Sequence, residues 1–162
     1  MSLDSDIKVL ERVKLFEGFE PEHLRLLAFG ADAQVVEEGQ ILYSKGGASD
    51  GGYVIVEGRI DLVSGANDGV VKQFGTGSLL GELALITETE YAATAEAQRQ
   101  SQVLKISRAL FRRILREYPH LAEILQKRIG ASVTEFVQRL DYVKGQIDRA
   151  ERQALQERSE KA

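Results

Sequence analysis

The sequence contains no cysteine and no tryptophan, and it has only two histidines, two prolines and one methionine among 162 residues. Without cysteine there are no disulfides, no thiolate nucleophiles, and no iron–sulfur or thiolate zinc sites. The two histidines, His23 and His120, are far apart in the sequence and lie outside its central region. We therefore predict that the protein holds no metal.

Long apolar runs are also missing, so no segment is long enough to span a bilayer. The first residues, Met1-Ser2-Leu3-Asp4, lack the basic and apolar parts of a signal peptide. We expect a cytoplasmic protein without a membrane partner. The hydrophobic fraction of 43% is ordinary for a globular protein, and the chain has room for one compact domain with accessory helices.

The hydrophobic pattern divides the chain into three parts. Residues 1–31 predict an N-terminal helical segment, with an amphipathic helix over 6–16 and a second helix that begins at Pro21. Residues 32–106 predict a β-roll, because short β-like runs alternate there with glycine-rich turns. The β-like runs are 34–36, 41–43, 52–56, 59–63, 70–74, 92–97 and 102–106.

Residues 107–162 predict C-terminal helices. Ser107 is the expected N-cap of a helix over 109–118, which should stop near Pro119. A longer helix from about residue 120 has apolar residues spaced alternately four and three apart, as in a coiled coil. We expect this helix to form a homodimer through Val133, Phe136, Leu140, Val143 and Ile147.

The segment 77–95 contains the sequences GELAL at 81–85 and YAAT at 91–94. A helix that begins after Gly81 would offer unpaired backbone N–H groups and a partial positive field to an anion. Because glycine has no Cβ, the backbone could approach a ligand closely there. Leu83 and Ala84 would present amides to phosphate oxygens, and Glu82 would accept a hydrogen bond from a sugar hydroxyl.

Segment 77–95 resembles the phosphate-binding cassette of cyclic nucleotide-binding domains, the family of cyclic-AMP receptor proteins and protein kinase A regulatory subunits. The likeness extends over roughly residues 8–140. It implies an α+β fold in which a β-roll, a jelly-roll-like double-stranded β-helix, is flanked by N-terminal helices and by C-terminal helices that include a long dimerisation helix. It also implies cAMP or cGMP as the ligand, bound at Gly81, Glu82, Leu83, Ala84, Tyr91 and Ala92.

One position in the cassette departs from the family pattern. The family places a phosphate-binding arginine nine positions after the glutamate, where this chain has Tyr91 preceded by Glu90. Losing a charged hydrogen bond costs about 1.5–3 kcal/mol, so we expect affinity to fall about tenfold to more than a hundredfold. A second reading makes Tyr91 a half-buried packing residue and Glu82 a helix-terminal carboxylate. The cations that could replace the arginine from another strand are Arg59, Lys72 and Arg99.

We expect that the protein is not an enzyme, because the sequence shows no carboxylate pair, Ser-His-Asp set or phosphate loop that suggests catalysis. Only residues 141–162 follow Leu140, where one branch of the family has a helix-turn-helix module, so we expect no DNA-binding domain. A basic cluster remains as a nucleic-acid candidate, although a solvated helix face is the favoured interpretation. Its members are Arg108, Arg112, Arg113 and Arg116.

The function predicted from the sequence is that of a regulatory module in bacterial signal transduction. In one version the domain senses a cyclic nucleotide weakly and acts on an unknown partner protein. In the other version the fold is degenerate and free of ligand, and it serves as a dimeric scaffold for protein interactions. The family resemblance does not choose between the two.

Overall fold

The computed structural model describes residues 3–64 and 69–127. The chain divides into two compact units, residues 1–123 and 124–162, and the elements labelled below belong to the first unit. The residues predicted to pair two chains lie outside the described residues; they are Val133, Phe136, Leu140, Val143 and Ile147.

The N-terminal segment is helical as predicted, but it contains a break. It consists of α1 (Leu3–Glu11), a short 3-10 turn (Lys14–Phe16) and α2 (Pro21–Gly30). The prediction of one continuous helix over 6–16 was wrong. Val13, Leu15 and Phe16 are all buried, and side chains at these spacings cannot share one face of an α-helix. The backbone therefore leaves the helix at Val13, which has φ −75° and ψ 120°.

Eight strands within the described residues form two antiparallel four-stranded sheets. The first sheet has the order β1-β8-β3-β6 and the second has the order β2-β7-β4-β5, which confirms the predicted β-roll. The strands are β1 (Asp32–Val36), β2 (Ile41–Tyr43), β3 (Gly51–Glu57), β4 (Ile60–Ser64), β5 (Gly69–Phe74), β6 (Leu79–Leu80), β7 (Thr94–Ala97) and β8 (Ser101–Ser107). The sequence did not predict β6, since two residues are too few to show an alternating pattern.

The core lies between the two sheets and is built from alternate residues of their strands. Strand β3 is buried on both faces over Gly51–Val56. Tyr53 and Ile55 point into the roll. Val54 and Val56 alternate with them along the strand and therefore point to the opposite face. The buried residues inside the roll are Val36, Tyr53, Ile55, Ile60, Leu80, Ala95, Ala97 and Val103.

Helices join the roll at two further places. Helix α3 (Glu82–Ile86) follows β6, and α4 (Arg108–Glu117) follows β8; residues 119–127 are also helical. The predicted cap of α4 is confirmed, because the Ser107 hydroxyl accepts a hydrogen bond from the Leu110 amide at 3.1 Å. Among the described helices, none combines the length and the apolar character needed to cross a membrane.

Candidate functional site

The cassette begins where β6 turns into α3 at Gly81. Gly81 has φ +77° and ψ 36°, a left-handed conformation that side chains with a Cβ rarely adopt. A Cβ at this position would lie 3.3 Å from the Gly51 carbonyl oxygen and 3.4 Å from the Tyr91 ring. Both the backbone conformation and the close approach therefore favour glycine here.

The residues predicted to form the site differ in exposure. Glu82 and Ala92 are exposed, Leu83 is half-buried and Ala84 is buried. The Leu85 amide donates to the Gly81 carbonyl oxygen at 3.3 Å, and the amides of the preceding turn have no acceptor inside so short a helix. The expected donors thus stand at the start of α3.

Tyr91 is a packing residue in this structure. Its side chain is buried, its hydroxyl donates to the Gly51 carbonyl oxygen at 2.9 Å, and its ring is stacked on the Tyr43 ring. Burial, followed by the neighbouring Tyr53 and Asp50, raises the pKa of Tyr91 to about 12. Burial also raises the pKa of Tyr43. Position 91 therefore supplies an uncharged group at neutral pH.

Backbone hydrogen bonds fix the end of the cassette to the loop after β2. The Gly46 amide donates to the Tyr91 carbonyl oxygen at 2.8 Å, and the Tyr91 amide donates to the Gly47 carbonyl oxygen at 3.1 Å. The Ser49 amide donates to the Thr89 carbonyl oxygen at 3.1 Å. These bonds hold the backbone of Tyr91 in place, and from there its side chain reaches the Gly51 carbonyl oxygen.

Arg108, the first residue of α4, ties the cassette to two other segments. Its Nε donates to the Ala84 carbonyl oxygen at 2.8 Å, and its Nη2 donates to the Ser49 carbonyl oxygen at 2.8 Å and to the Ser49 hydroxyl at 2.9 Å. The backbone amide of Arg108 donates to the Asp50 carbonyl oxygen at 2.7 Å. One buried guanidinium therefore connects α3, the loop before β3 and the start of α4.

The burial of Arg108 corrects its assignment to a solvated basic face. Arg108 is 8% exposed, whereas Arg112, Arg113 and Arg116 are exposed. The hydrogen-bond acceptors of Arg108 are neutral oxygens, and no carboxylate pairs with it within the described residues. The basic cluster is thus divided between a structural residue and three surface residues.

Comparison with known proteins decides the family. The family model of the cyclic nucleotide-binding domain matches residues 33–118, from β1 to the end of α4. The chain belongs to the cyclic nucleotide-binding domain family.

Similar proteins include a cyclic nucleotide-binding-like protein from Brucella abortus. That structure is 44% identical, covers 70% of this chain and 99% of its own, and has a TM-score of 0.64. The regulatory domain of Toxoplasma gondii protein kinase A, crystallised with cAMP, is 23% identical. It covers 79% of this chain and 49% of its own, has a TM-score of 0.65, and shows the shared fold.

A curated relative is much longer than this chain. The lysophospholipase nte1 of Neurospora crassa is 31% identical over 134 residues, which are 81% of this chain and 9% of that protein. The similarity therefore concerns one small part of the relative.

The candidates to replace the missing arginine of the cyclic nucleotide-binding domain are placed elsewhere. Arg59 Nε lies 3.2 Å from Oδ1 of the buried Asp61, and Lys72 Nζ lies 5.1 Å from the centroid of the Phe74 ring. Arg99 is exposed in the turn between β7 and β8. The structure engages Arg59 and Lys72 on the second sheet rather than at the cassette.

The sequence reasoning overlooked a different cation, Lys105. A cavity of about 430 Å³ beside Tyr91 is lined by Tyr43, Tyr53, Lys105 and Asp50. Lys105 lies opposite Tyr53 in the β3–β8 register, and its Nζ lies 3.0 Å from Oδ2 of Asp50. Burial lowers the pKa of Lys105, but the hydrogen bond that its ammonium donates to the Asp50 carboxylate, together with nearby charges, outweighs burial and raises the pKa. The alternation of β8 is the signal that could have placed this lysine inside the roll.

The two histidines, distant in sequence, meet on one side of α2. Their ring centroids are 5.3 Å apart, and His23 is 1% exposed. His23 Nδ1 accepts a hydrogen bond from the Glu20 amide at 3.2 Å, so the proton resides on Nε2. Glu20, Glu22 and His23 have their ligand atoms close to one another, and the Nδ1 lone pair of His23 is already engaged by the Glu20 amide.

Proposed function

We propose that this domain is a non-catalytic regulatory module that binds cAMP or cGMP weakly. The observation that supports the proposal is the state of Tyr91, whose hydroxyl is bonded to Gly51 and whose ring is stacked on Tyr43. The family pattern has an arginine here, and a neutral phenol cannot neutralise a cyclic phosphate. The glycine turn and the start of α3, which would supply the remaining contacts, are retained.

The expected weakening follows from the lost charge. A hydrogen bond to a charged group contributes about 1.5–3 kcal/mol, which corresponds to a factor of about ten to more than a hundred in affinity. Lys105 does not remove this deficit, because its ammonium is already paired with Asp50. We therefore place the affinity in the micromolar range rather than tighter.

Calorimetric titration of the purified chain with cAMP and with cGMP tests the proposal. Saturable binding in the micromolar range supports the weak sensor. Absence of binding at millimolar nucleotide contradicts it and supports the alternative, a ligand-free fold that acts as an interaction scaffold. That alternative is favoured by the same stacked tyrosines, since they fill space next to the cassette with the protein's own side chains.

The output of the module would pass to another protein. The Neurospora crassa relative is named as an enzyme, and the chain matches only 9% of it. This supports a domain that works as one part of a larger protein or complex.

We propose that the protein is a cytoplasmic, bacterial homodimer formed through the heptad residues around Leu140. This homodimer would present its surface to a partner protein. If Leu140→Glu leaves the mass measured by analytical ultracentrifugation unchanged, this dimer interface is wrong.

A further inference from the structure

A three-residue linking segment, Ser49-Asp50-Gly51, leads into β3 and is bonded to two residues from distant parts of the chain. Its three successive carbonyl oxygens all accept hydrogen bonds. The Ser49 oxygen accepts from Arg108 Nη2 at 2.8 Å, and the Asp50 oxygen accepts from the Arg108 amide at 2.7 Å. The Gly51 oxygen accepts from the Tyr91 hydroxyl at 2.9 Å. The cassette and the first residue of α4 are therefore bonded to the same short segment.

The Ser49 side chain adds a second connection between α4 and the cassette. Its hydroxyl accepts a hydrogen bond from Arg108 Nη2 at 2.9 Å and donates one to the Thr89 carbonyl oxygen at 2.6 Å. The Ser49 amide donates to the same Thr89 oxygen at 3.1 Å. Thr89 precedes Tyr91 by two residues. The linking segment thus holds the backbone just before Tyr91 as well as the Tyr91 hydroxyl.

Burial makes these bonds depend on one another. Ser49, Gly51, Tyr91 and Arg108 are all buried, so water does not readily replace a partner that moves away. A buried donor or acceptor left without a partner is costly, and hydrogen bonds from a charged guanidinium are stronger than neutral ones. The guanidinium of Arg108 should therefore follow the Ser49 oxygens when the linking segment shifts.

The sheet joins the linking segment to α4 along the backbone as well. Gly51 pairs with Ser107 in the β3–β8 register, and Ser107 is the residue that immediately precedes Arg108. A Cβ on Gly51 would lie 2.8 Å from the Cα of Ser107, which shows how closely the two strands approach here. A shift of Gly51 therefore acts directly on the start of α4.

We propose that Tyr91, Ser49 and Arg108 form one coupled unit, in which the linking segment transmits a displacement of the Tyr91 side chain to the first residue of α4. Networks of hydrogen bonds can carry such coupling between separate sites. When the Tyr91 hydroxyl leaves Gly51, the linking segment shifts and Arg108 shifts with it. This coupling belongs to the chain alone and needs no nucleotide. Its use as the output of a nucleotide sensor rests on the function proposed above.

A double-mutant cycle measures the coupling without any nucleotide, so its result does not depend on whether cAMP or cGMP binds. Tyr91→Phe removes the hydrogen bond to Gly51, and Ser49→Ala removes the hydroxyl shared by Arg108 and Thr89. Urea unfolding gives the unfolding equilibrium constant of the native chain, both single variants and the double variant. Residues in one hydrogen-bond network are not additive, so the combined effect should differ from the product of the single effects by more than about twofold.

Ser101→Ala provides the matched control for the cycle. Ser101 is also a buried serine, and its hydroxyl donates to the Arg99 carbonyl oxygen at 2.9 Å. It begins β8, whereas Gly51 pairs at the other end of that strand. The effects of Ser101→Ala and Tyr91→Phe should therefore multiply to within about twofold. A coupling between Tyr91 and Ser49 that is no larger than in this control overturns the proposal.

The NMR signal of the Arg108 Nε–Hε group shows whether the effect reaches α4. Tyr91→Phe should shift this signal and speed its exchange with solvent, although Tyr91 and Arg108 bond to different oxygens. Tyr118→Phe changes a tyrosine that packs on His23 instead, and it should leave the Arg108 signal as in the native chain. A folded Tyr91→Phe variant whose Arg108 signal is unchanged overturns the transmission to α4.

Discussion

The rings of Tyr91 and Tyr43 are stacked with their centroids 3.8 Å apart and an interplanar angle of 16°. Tyr43 in turn lies 5.9 Å from Tyr53, again between centroids, so three tyrosines form a continuous aromatic wall. The side chain at the cassette position that carries arginine in the family pattern is thus part of the packing of the roll. The stability that Tyr91 contributes and the pKa of its hydroxyl both depend on this packing.

The first prediction concerns the stability contributed by Tyr91. Tyr91→Phe removes the hydrogen bond to the Gly51 carbonyl oxygen, and the free energy of unfolding should fall by about 0.5–1.5 kcal/mol. Tyr91→Ala also removes the stacked ring and should cost about 3–5 kcal/mol. Urea unfolding of the two variants measures both. Equal losses for phenylalanine and alanine would show that the ring contributes nothing.

The second prediction concerns stability at high pH. Because the folded pKa of Tyr91 is raised to about 12 from 10.0, the unfolded chain loses this proton before the folded chain does. The stabilisation is complete below pH 10.0 and should be lost as the pH rises towards 12. Denaturant titrations at several pH values measure the slope, which should be smaller for Tyr91→Phe. The phenolate absorbance of the native chain should differ from that of Tyr91→Phe near pH 12. A difference that appears near pH 10.0 instead would contradict the raised pKa of Tyr91.

The third prediction concerns Arg108. Arg108→Ala leaves the buried carbonyl oxygens of Ala84 and Ser49 without donors, and each such oxygen costs about 1–3 kcal/mol. We expect a loss of about 2–4 kcal/mol in the free energy of unfolding. Arg113→Ala is the matched control, because its guanidinium is exposed and pairs with Glu117 one turn away, which contributes about 0.3–0.5 kcal/mol. Similar losses for both variants would refute the structural role of Arg108.

Arg108 also shows what sequence reasoning could not supply. The alternation of short strands, the glycine turns and the Ser107 cap are local signals, and they placed the β-roll and the start of α4 correctly. The burial of Arg108 depends on Ser49 and Ala84, which are 59 and 24 residues away. A helix pattern that also contains exposed arginines gives no sign of such partners.

The candidate site also has features that the sequence reveals and features that only the fold reveals. The sequence identified the cassette and the absence of arginine at position 91, because both are visible in a short segment. It could not establish that Tyr91 would stack on Tyr43, which belongs to a strand of the second sheet. It also missed the pairing of Lys105 with Asp50, which requires the register between β3 and β8.

The fourth prediction separates two reasons for glycine at position 81. Gly81→Ala meets both the left-handed backbone, with φ +77°, and the close approach of Gly51 and Tyr91. Gly39 has φ +83°, and the space within 4 Å of the position that an added methyl group would take is open, so Gly39→Ala tests the backbone alone. We expect about 1–2 kcal/mol of destabilisation for Gly39→Ala and a larger loss for Gly81→Ala. Equal losses would mean that the contacts at Gly81 relax without cost.

The affinity of Tyr91→Arg for cAMP and cGMP, measured by calorimetry beside the native chain and Tyr91→Phe, tests most directly whether a missing cation limits binding. We predict that the arginine variant binds at least one nucleotide about tenfold or more tightly, and that the phenylalanine variant gains no affinity. A folded arginine variant whose affinity equals that of the native chain would contradict the idea that the missing charge limits binding.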